Sequence, residues 1–216
     1  MRTFTSWSGG KESMLSCYRA RQNSGIEVTY LLNMVSEDGR FSRSHGIPSD
    51  LLKAQAEAIG IPILQRKTLW KTYEEEFKMA VLDLKGYGIT AGIFGDIDLA
   101  GHRDWVERVC KEVGIKPILP LWKNEREELM LEFIRVGFKA IIVACNSNFL
   151  GKEWLGREID QGLINDLKAL PIDLCGENGE FHSFVYDGPI FKNPIEFIKG
   201  KKALEDNRLL LEVKLK

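Results

Sequence analysis

Thr5-Ser6-Trp7-Ser8-Gly9-Gly10-Lys11-Glu12-Ser13 leaves a short strand, Arg2 to Trp7, and runs straight into a helix read over Ser13 to Gln22. Two adjacent glycines let the backbone bend close to a ligand, and the helix start behind them leaves N–H groups without intrahelical acceptors. Such a turn is an anion site, and its chemistry suits phosphate. Lys11 adds a point charge, and Ser8 and Ser13 add hydroxyl donors. Charge-assisted hydrogen bonds of this kind contribute about 1.5–3 kcal/mol each. A plain strand-to-helix turn with an exposed lysine needs none of these residues in this order.

Outward from the turn, strand and helix alternate. Gly25 closes the first helix, and Val28 to Met34 is an apolar run suited to a strand buried on both faces of a parallel sheet. Ser36 to Pro48 is a polar loop carrying Arg43, Ser44 and His45. It reads first as a solvated loop and alternatively as a substrate-side or nucleotide-side loop, since parallel sheets bind ligands at the carboxyl ends of their strands. Ser49 is read as the cap of a helix through Ala58, followed by a strand over Ile61 to Gln65. Thr72 to Lys85 has Tyr73, Phe77, Val81 and Leu84 on one helical face, with Glu74, Glu75 and Glu76 favouring the helix dipole. Ile89 to Phe94 is a fourth strand ending in Gly95-Asp96-Ile97-Asp98, so Asp96 falls on the ligand-binding edge, while Asp98 reads alternatively as a helix N-cap. A helix over Gly101 to Val113 and a strand over Ile115 to Leu119 complete the pattern. This alternation predicts an α/β fold with a doubly wound, mostly parallel sheet over residues 1–120.

Beyond Pro120 the rhythm changes. Glu125 to Val136 reads as a helix, Lys139 to Asn146 as a buried strand, and Asp160 to Ala169 as a further helix. Gly176-Glu177-Asn178-Gly179-Glu180-Phe181-His182-Ser183 is a polar turn before a strand-like Phe184 to Tyr186, and Arg208 to Lys216 alternates as a half-exposed final strand. The whole chain has 216 residues, 44% hydrophobic and 28% charged, with a net charge of −1, so nothing in the composition calls for nucleic acid or an anionic membrane as partner. Neither a secretory signal nor a bilayer-length apolar run is evident, and the reading is a cytoplasmic protein. Cys17, Cys110, Cys145 and Cys175 form no C-x-x-C pair and read as reduced core thiols, with Cys175 the one candidate for a reactive thiol because of its neighbours.

The turn is not Walker A, because Thr5 stands where the first glycine belongs and Glu12 follows Lys11. The remaining pattern S-G-G-K-x-S resembles the PP-loop of N-type ATP pyrophosphatases, a HUP-like fold. That resemblance implies a loop holding the β- and γ-phosphates of ATP, with attack on the α-phosphorus. Gly95-Asp96-Ile97, Trp105-Val106-Glu107-Arg108-Val109-Cys110, Pro120-Leu121-Trp122, Leu155-Gly156-Arg157 and Cys175-Gly176-Glu177-Asn178-Gly179-Glu180-Phe181 follow in order. Together, from about Thr3 to Phe191, they resemble the diphthine–ammonia ligase (diphthamide synthetase) family. The loop carries Glu12 where the family's usual residue is aspartate. Asn178 and His182 replace a glycine and a glutamate of the eukaryotic pattern, in a form similar to archaeal and bacterial members.

The resemblance implies a PP-loop ATP-binding domain over 1–120 and a smaller family-specific α+β substrate-binding domain over 121–216. Ser8, Gly9, Gly10, Lys11, Ser13 and Met34 are the expected ATP contacts. Lys11, Asp96, Glu177 and Glu180 are the expected catalytic residues, and His45, Arg157, Asn178, Gly179 and His182 the expected substrate contacts. Glu177 and Glu180 are the best acidic pair to bind ammonium or a cationic substrate, with His182 as a second candidate base. The implied reaction adenylates diphthine on elongation factor 2 and transfers free ammonium, giving diphthamide, AMP and pyrophosphate, with ATP and Mg2+ required and the metal ligands unassigned. Open alternatives are a nucleotide α-hydrolase or amidoligase on another small substrate, a non-catalytic ATP-sensing module, tRNA thiolation as a weaker option, and assembly as a homodimer.

Overall fold

The computed structural model describes residues 1–216. Five strands, β1 (Arg2–Ser6), β2 (Glu27–Val35), β3 (Ile63–Lys67), β4 (Ala91–Ile93) and β5 (Lys116–Ile118), form a sheet in the order β3-β2-β1-β4-β5. Every pairing in it is parallel. The crossovers are α1 (Lys11–Arg21), α2 (Ser49–Ile59), α3 (Tyr73–Gly86) and α4 (Ala100–Val113). Leu31 to Val35 are buried without alternation, because helices cover both faces of β2. On one face Phe77, Ala80, Val81 and Leu84 of α3 pack with Val106, Val109, Cys110 and Val113 of α4 around Phe4. Phe4 meets Phe77 edge-on at 6.2 Å between centroids and Phe94 at 6.0 Å. Fully burying such a side chain contributes about 1.5–3 kcal/mol.

The opposite face is covered by α1 and α2, whose Met14, Leu15, Leu51 and Leu52 share a core with the C-terminal part of the chain. That part contains α5 (Arg126–Arg135), β6 (Lys139–Asn146), α6 (Gln161–Lys168), β7 (Phe181–Asp187), β8 (Phe197–Glu205) and β9 (Arg208–Leu215). Its four strands form an antiparallel sheet in the order β7-β6-β9-β8. Arg19 of α1 ties the connecting segment down by pairing with Glu132 and donating to the Pro120 carbonyl at 2.8 Å and Asn124 Oδ1 at 3.0 Å. Asp160 caps α6 by accepting from the Leu163 amide at 2.7 Å.

Three local expectations change. Ser49 is the first residue of α2, with Pro48 at the cap position. Asp98 does not cap α4, where Leu99 takes that place; its carboxylate instead accepts from Arg126 at 2.7 Å. A strand that the sequence pattern did not indicate, β8, pairs with β9 and is exposed along almost its whole length. No helix is long and apolar enough to cross a membrane.

Candidate active site

The order β3-β2-β1-β4-β5 reverses direction between β1 and β4, and the crevice at such a switch point is where parallel sheets bind ligands. The loop after β1 lies there. Gly9 has φ +81°, and a Cβ on it would stand 2.3 Å from Leu52 Cδ2. A Cβ on Gly10 would stand 2.9 Å from His45 Cε1 and 3.2 Å from the Ser183 carbonyl. Both positions therefore exclude a side chain, the first by conformation and contact, the second by contact alone. The Gly10 amide donates to Ser8 Oγ at 3.2 Å and the Lys11 amide to Ser183 Oγ at 3.1 Å, while those of Glu12 and Ser13 find no acceptor within the protein. Ser8 and Ser13 hydroxyls lie 3.2 Å apart beside them. These donors at a helix start form an anion cradle.

The C-terminal sheet presses directly on this loop. β7 is an edge strand, and its free edge is used: the Val185 amide donates to the Gly9 carbonyl at 3.1 Å. Gln55 of α2 joins in, its Nε2 donating to the carbonyls of Gly9 at 3.0 Å and Val185 at 2.6 Å and its Oε1 accepting from the Trp7 indole at 2.9 Å. Lys11 is 5% exposed; its ammonium donates to the Cys175 carbonyl at 2.5 Å, pairs with Glu12 at 2.6 Å and sits 4.6 Å from the centre of the Phe181 ring. Burial alone would lower its pKa, but Glu12 above all, with Cys175 and Glu177, outweighs burial and leaves the value raised, so the lysine stays charged.

Around Lys11 opens a cleft of about 320 Å³, lined by the carboxyl ends of β1 and β2, the Gly95-Asp96 turn after β4, and the 175–183 segment. Three carboxylates, Glu12, Asp96 and Glu177, face it. Burial, then the negative charge of Glu12, pushes the Glu177 carboxyl up to about 7. Asp96 lies 3.2 Å from His102 Nδ1 and raises that imidazole's pKa. The His45 and His182 rings lie 4.4 Å apart between centroids, tilted by 31°. Burial drives His45 well below the ordinary histidine value and His182 down to about 3, so both are neutral near pH 7.

Of the residues singled out from the sequence, Ser8, Lys11, Ser13, Met34, His45, Asp96, Glu177, Gly179 and His182 line this one cleft, and Gly9 and Gly10 form the loop backbone beneath it. The expected Glu177–Glu180 acid pair is split. Glu180 is 3% exposed, and its carboxylate accepts from the amides of Asp173 at 3.1 Å and Asn178 at 3.0 Å, closing the turn that presents Glu177. Asn178 turns the same way, its side chain donating to Glu180 at 3.3 Å. Arg157 points elsewhere, paired with Asp166 at 2.6 Å and set over the Trp154 ring. His182 is too weakly basic to take a proton near neutrality. The Cys175 thiol is buried and pushed far up, so it is no nucleophile. Ser183, Gln55, Tyr73 and His102 were not assigned to the site from the sequence. Tyr73 sits on the apolar face of α3 and reads as core, and only proximity in space shows Gln55 beside Gly9.

A family model for the diphthamide synthase N-terminal domain matches residues 1–117, and one for the diphthamide synthase C-terminal domain matches residues 125–216. The diphthine–ammonia ligase of Schizosaccharomyces pombe is 27% identical over 220 residues, covering 92% of this chain and 36% of that protein. The diphthine–ammonia ligases of Mus musculus and Homo sapiens are each 26% identical, with 90% of this chain and 82% of each relative covered. The chain thus spans about a third of the yeast relative and most of the two mammalian ones. A predicted subunit of tRNA methyltransferase from Methanocaldococcus jannaschii aligns with a TM-score of 0.46 at 19% identity, over 90% of this chain and 100% of that one.

Proposed function

The chain belongs to the diphthamide synthase family, and from that premise we propose that it is an ATP-dependent ligase that joins ammonia to a carboxylate and releases AMP and pyrophosphate. The acceptor is diphthine on elongation factor 2. Residues 1–120 bind the nucleotide, and residues 121–216 carry the acceptor side of the site. The observation that supports this reading best is that Lys11 of the anion cradle also touches the Cys175 carbonyl and the Phe181 ring, so cradle and Glu177 turn face one cleft.

In the first step an acceptor carboxylate oxygen attacks the α-phosphorus, and the bond from that phosphorus to the bridging oxygen breaks. Pyrophosphate leaves with that electron pair, stabilised by Lys11, the Glu12 and Ser13 amides, and the Ser8 and Ser13 hydroxyls. Positioning by a fixed loop supplies most of the rate in such a displacement. In the second step ammonia attacks the acyl carbon and AMP leaves. Ammonium must first lose a proton, and Glu177 takes it, its carboxyl held near 7 where a base works best at neutral pH. His102, with its Nδ1 3.2 Å from Asp96, fixes the direction of that carboxylate at the edge of the cleft.

Glu12 and Asp96 suit Mg2+, which binds through one or two carboxylates plus substrate phosphates. No group of three His, Cys, Asp or Glu side chains comes together as a metal cage, so these two residues would hold the ion jointly with ATP. Bound there, Mg2+ neutralises phosphate charge.

ATP labelled at the α-phosphate, supplied with ammonium and elongation factor 2 bearing diphthine, tests the reading. Labelled AMP that depends on both acceptors supports the ligase. Labelled ADP would overturn the loop assignment, AMP without acceptor would make the protein a nucleotide α-hydrolase, and bound but unreacted ATP would make it a sensor.

A further inference from the structure

Arg157, the arginine expected to meet the substrate, is engaged with Asp166, but a second arginine, Arg208 at the start of β9, reaches the Ser44 carbonyl behind the wall of the cleft. In β6, Ala144 is opposite His182 of β7 and Asn146 is opposite Arg208 of β9. Alternate residues of a strand share a face, so His182 and Arg208 emerge on the same side of the sheet, flanking β6. His182 meets His45 with ring centroids 4.4 Å apart and planes tilted by 31°, and Arg208 Nη2 donates to the carbonyl of Ser44, the residue before that histidine, at 3.0 Å. The three side chains therefore converge on the 44–45 segment, and Ser44, His45 and His182 all line the cleft.

The chemistry of this cluster is unfinished. Arg208 is half-buried and has no carboxylate in ion-pair contact; its one hydrogen bond to the protein is the Ser44 carbonyl. Burial lowers its pKa, and the charge of Glu205, which makes no ion pair with it, offsets this only in part, the direction expected of a guanidinium stripped of water without a directly paired anion. His45 Nδ1 is buried and has no partner. Neutral imidazoles each offer one N–H and one acceptor, so the pair supplies donors without adding competing charge. His45 abuts Gly10, so a ligand on this cluster stands beside the phosphate cradle rather than within it.

We propose that Arg208, together with His45 and His182, is the subsite that holds the acceptor's carboxylate, the group to be adenylated. This rests on the ligase reading above. A planar guanidinium fork matches the two oxygens of a carboxylate, and a lysine does not reproduce that geometry.

Two measurements separate this subsite from the ligase reading. In the first, AMP release by wild type, Arg208→Gln and Arg208→Lys is followed with elongation factor 2 bearing diphthine and ammonium, and ATP binding is measured by equilibrium dialysis. Arg208→Gln should raise the acceptor KM about tenfold or more, leave ATP affinity within about twofold, and be partly rescued by Arg208→Lys. An unchanged acceptor KM overturns the proposal, and an equal loss of ATP affinity moves Arg208 to the nucleotide. The second needs no turnover. The chain has three histidines, His45, His102 and His182, so their imidazole resonances are readily assigned. Acetate, as the carboxylate probe, should shift His45 and His182 in wild type but not in Arg208→Gln, with His102 as internal control. Acetate that shifts neither histidine, or shifts both equally in the variant, overturns the subsite. If wild type releases no acceptor-dependent AMP while acetate still shifts both, the ligase reading fails and the carboxylate site stands.

Discussion

Replacing Glu177 by glutamine removes the proposed base and also a buried carboxylate, and the two consequences have opposite signs. The Glu177 carboxyl titrates at about 7 in the folded protein against an ordinary 4.5, because burial and then Glu12 disfavour its ionised form. Between those values the folded state holds a proton that the unfolded state has lost, so this group's contribution to stability is present below 4.5 and is lost as pH rises through about 7. The loss approaches 1.4 kcal/mol per pH unit, roughly 3 kcal/mol in all as an upper bound that solvent reduces. Glutamine has nothing to ionise. Glu177→Gln should therefore match wild type near pH 4 and gain on it up to about pH 7.5, reaching a Tm advantage of several degrees at about 2–4 °C per kcal/mol. Its AMP release should fall by at least about 100-fold, with the rise of rate through pH 7 abolished. Thermal unfolding of both proteins from pH 4 to 8, with matched rate profiles, measures this. A Tm difference that stays flat with pH, or a variant less stable than wild type at pH 8, would refute the buried-carboxylate argument.

Lys11→Ala should reduce AMP formation roughly 100-fold or more and also lower stability by about 1–3 kcal/mol, because it strands the Glu12 carboxylate and the Cys175 carbonyl; single-turnover assays at saturating ATP and denaturant unfolding give the two numbers. Gly9→Ala places a methyl against Leu52 at φ +81°, and should cost about 2 kcal/mol in denaturant unfolding and weaken ATP binding in the same variant. Asp173 is buried, pairs with Arg126 and accepts from the Cys175 amide at 2.6 Å. Asp173→Asn should lower Tm by roughly 4–8 °C, about 2 kcal/mol, and move the rise of the rate profile below pH 7, since Asp173 is one of the charges holding Glu177 up.

The fold was largely legible because its signals are local. The Ser8-to-Ser13 turn, the alternation of buried strands with amphipathic helices, and the continuous apolar run of β2 each follow from backbone and burial rules within a short window. β8 was not legible: Phe197–Glu205 lies at a sheet edge, exposed on nearly every residue, so no alternation marks it. The site divides along the same line. Ser8, Lys11 and Asp96 follow from the ends of parallel strands, whereas the roles of Glu180 and Arg157 depend on partners the sequence does not announce. Glu180 looks like an exposed acid beside an Asn-Gly turn, but the amides of Asp173 and Asn178 need an acceptor and draw it inward. Arg208 sits at the start of a half-exposed strand and becomes informative only when β6 sets it on the same face as His182.

The most direct measurement follows one oxygen. Adenylation transfers a carboxylate oxygen of the acceptor to the α-phosphorus, so after attack by ammonia that atom leaves in AMP. Diphthine on elongation factor 2, labelled with heavy oxygen in its carboxylate and incubated with ATP and ammonium, should yield AMP carrying one labelled oxygen and unlabelled pyrophosphate. Label in inorganic phosphate, with ADP as the nucleotide product, would contradict attack at the α-phosphorus and with it the role given to the Ser8–Ser13 loop.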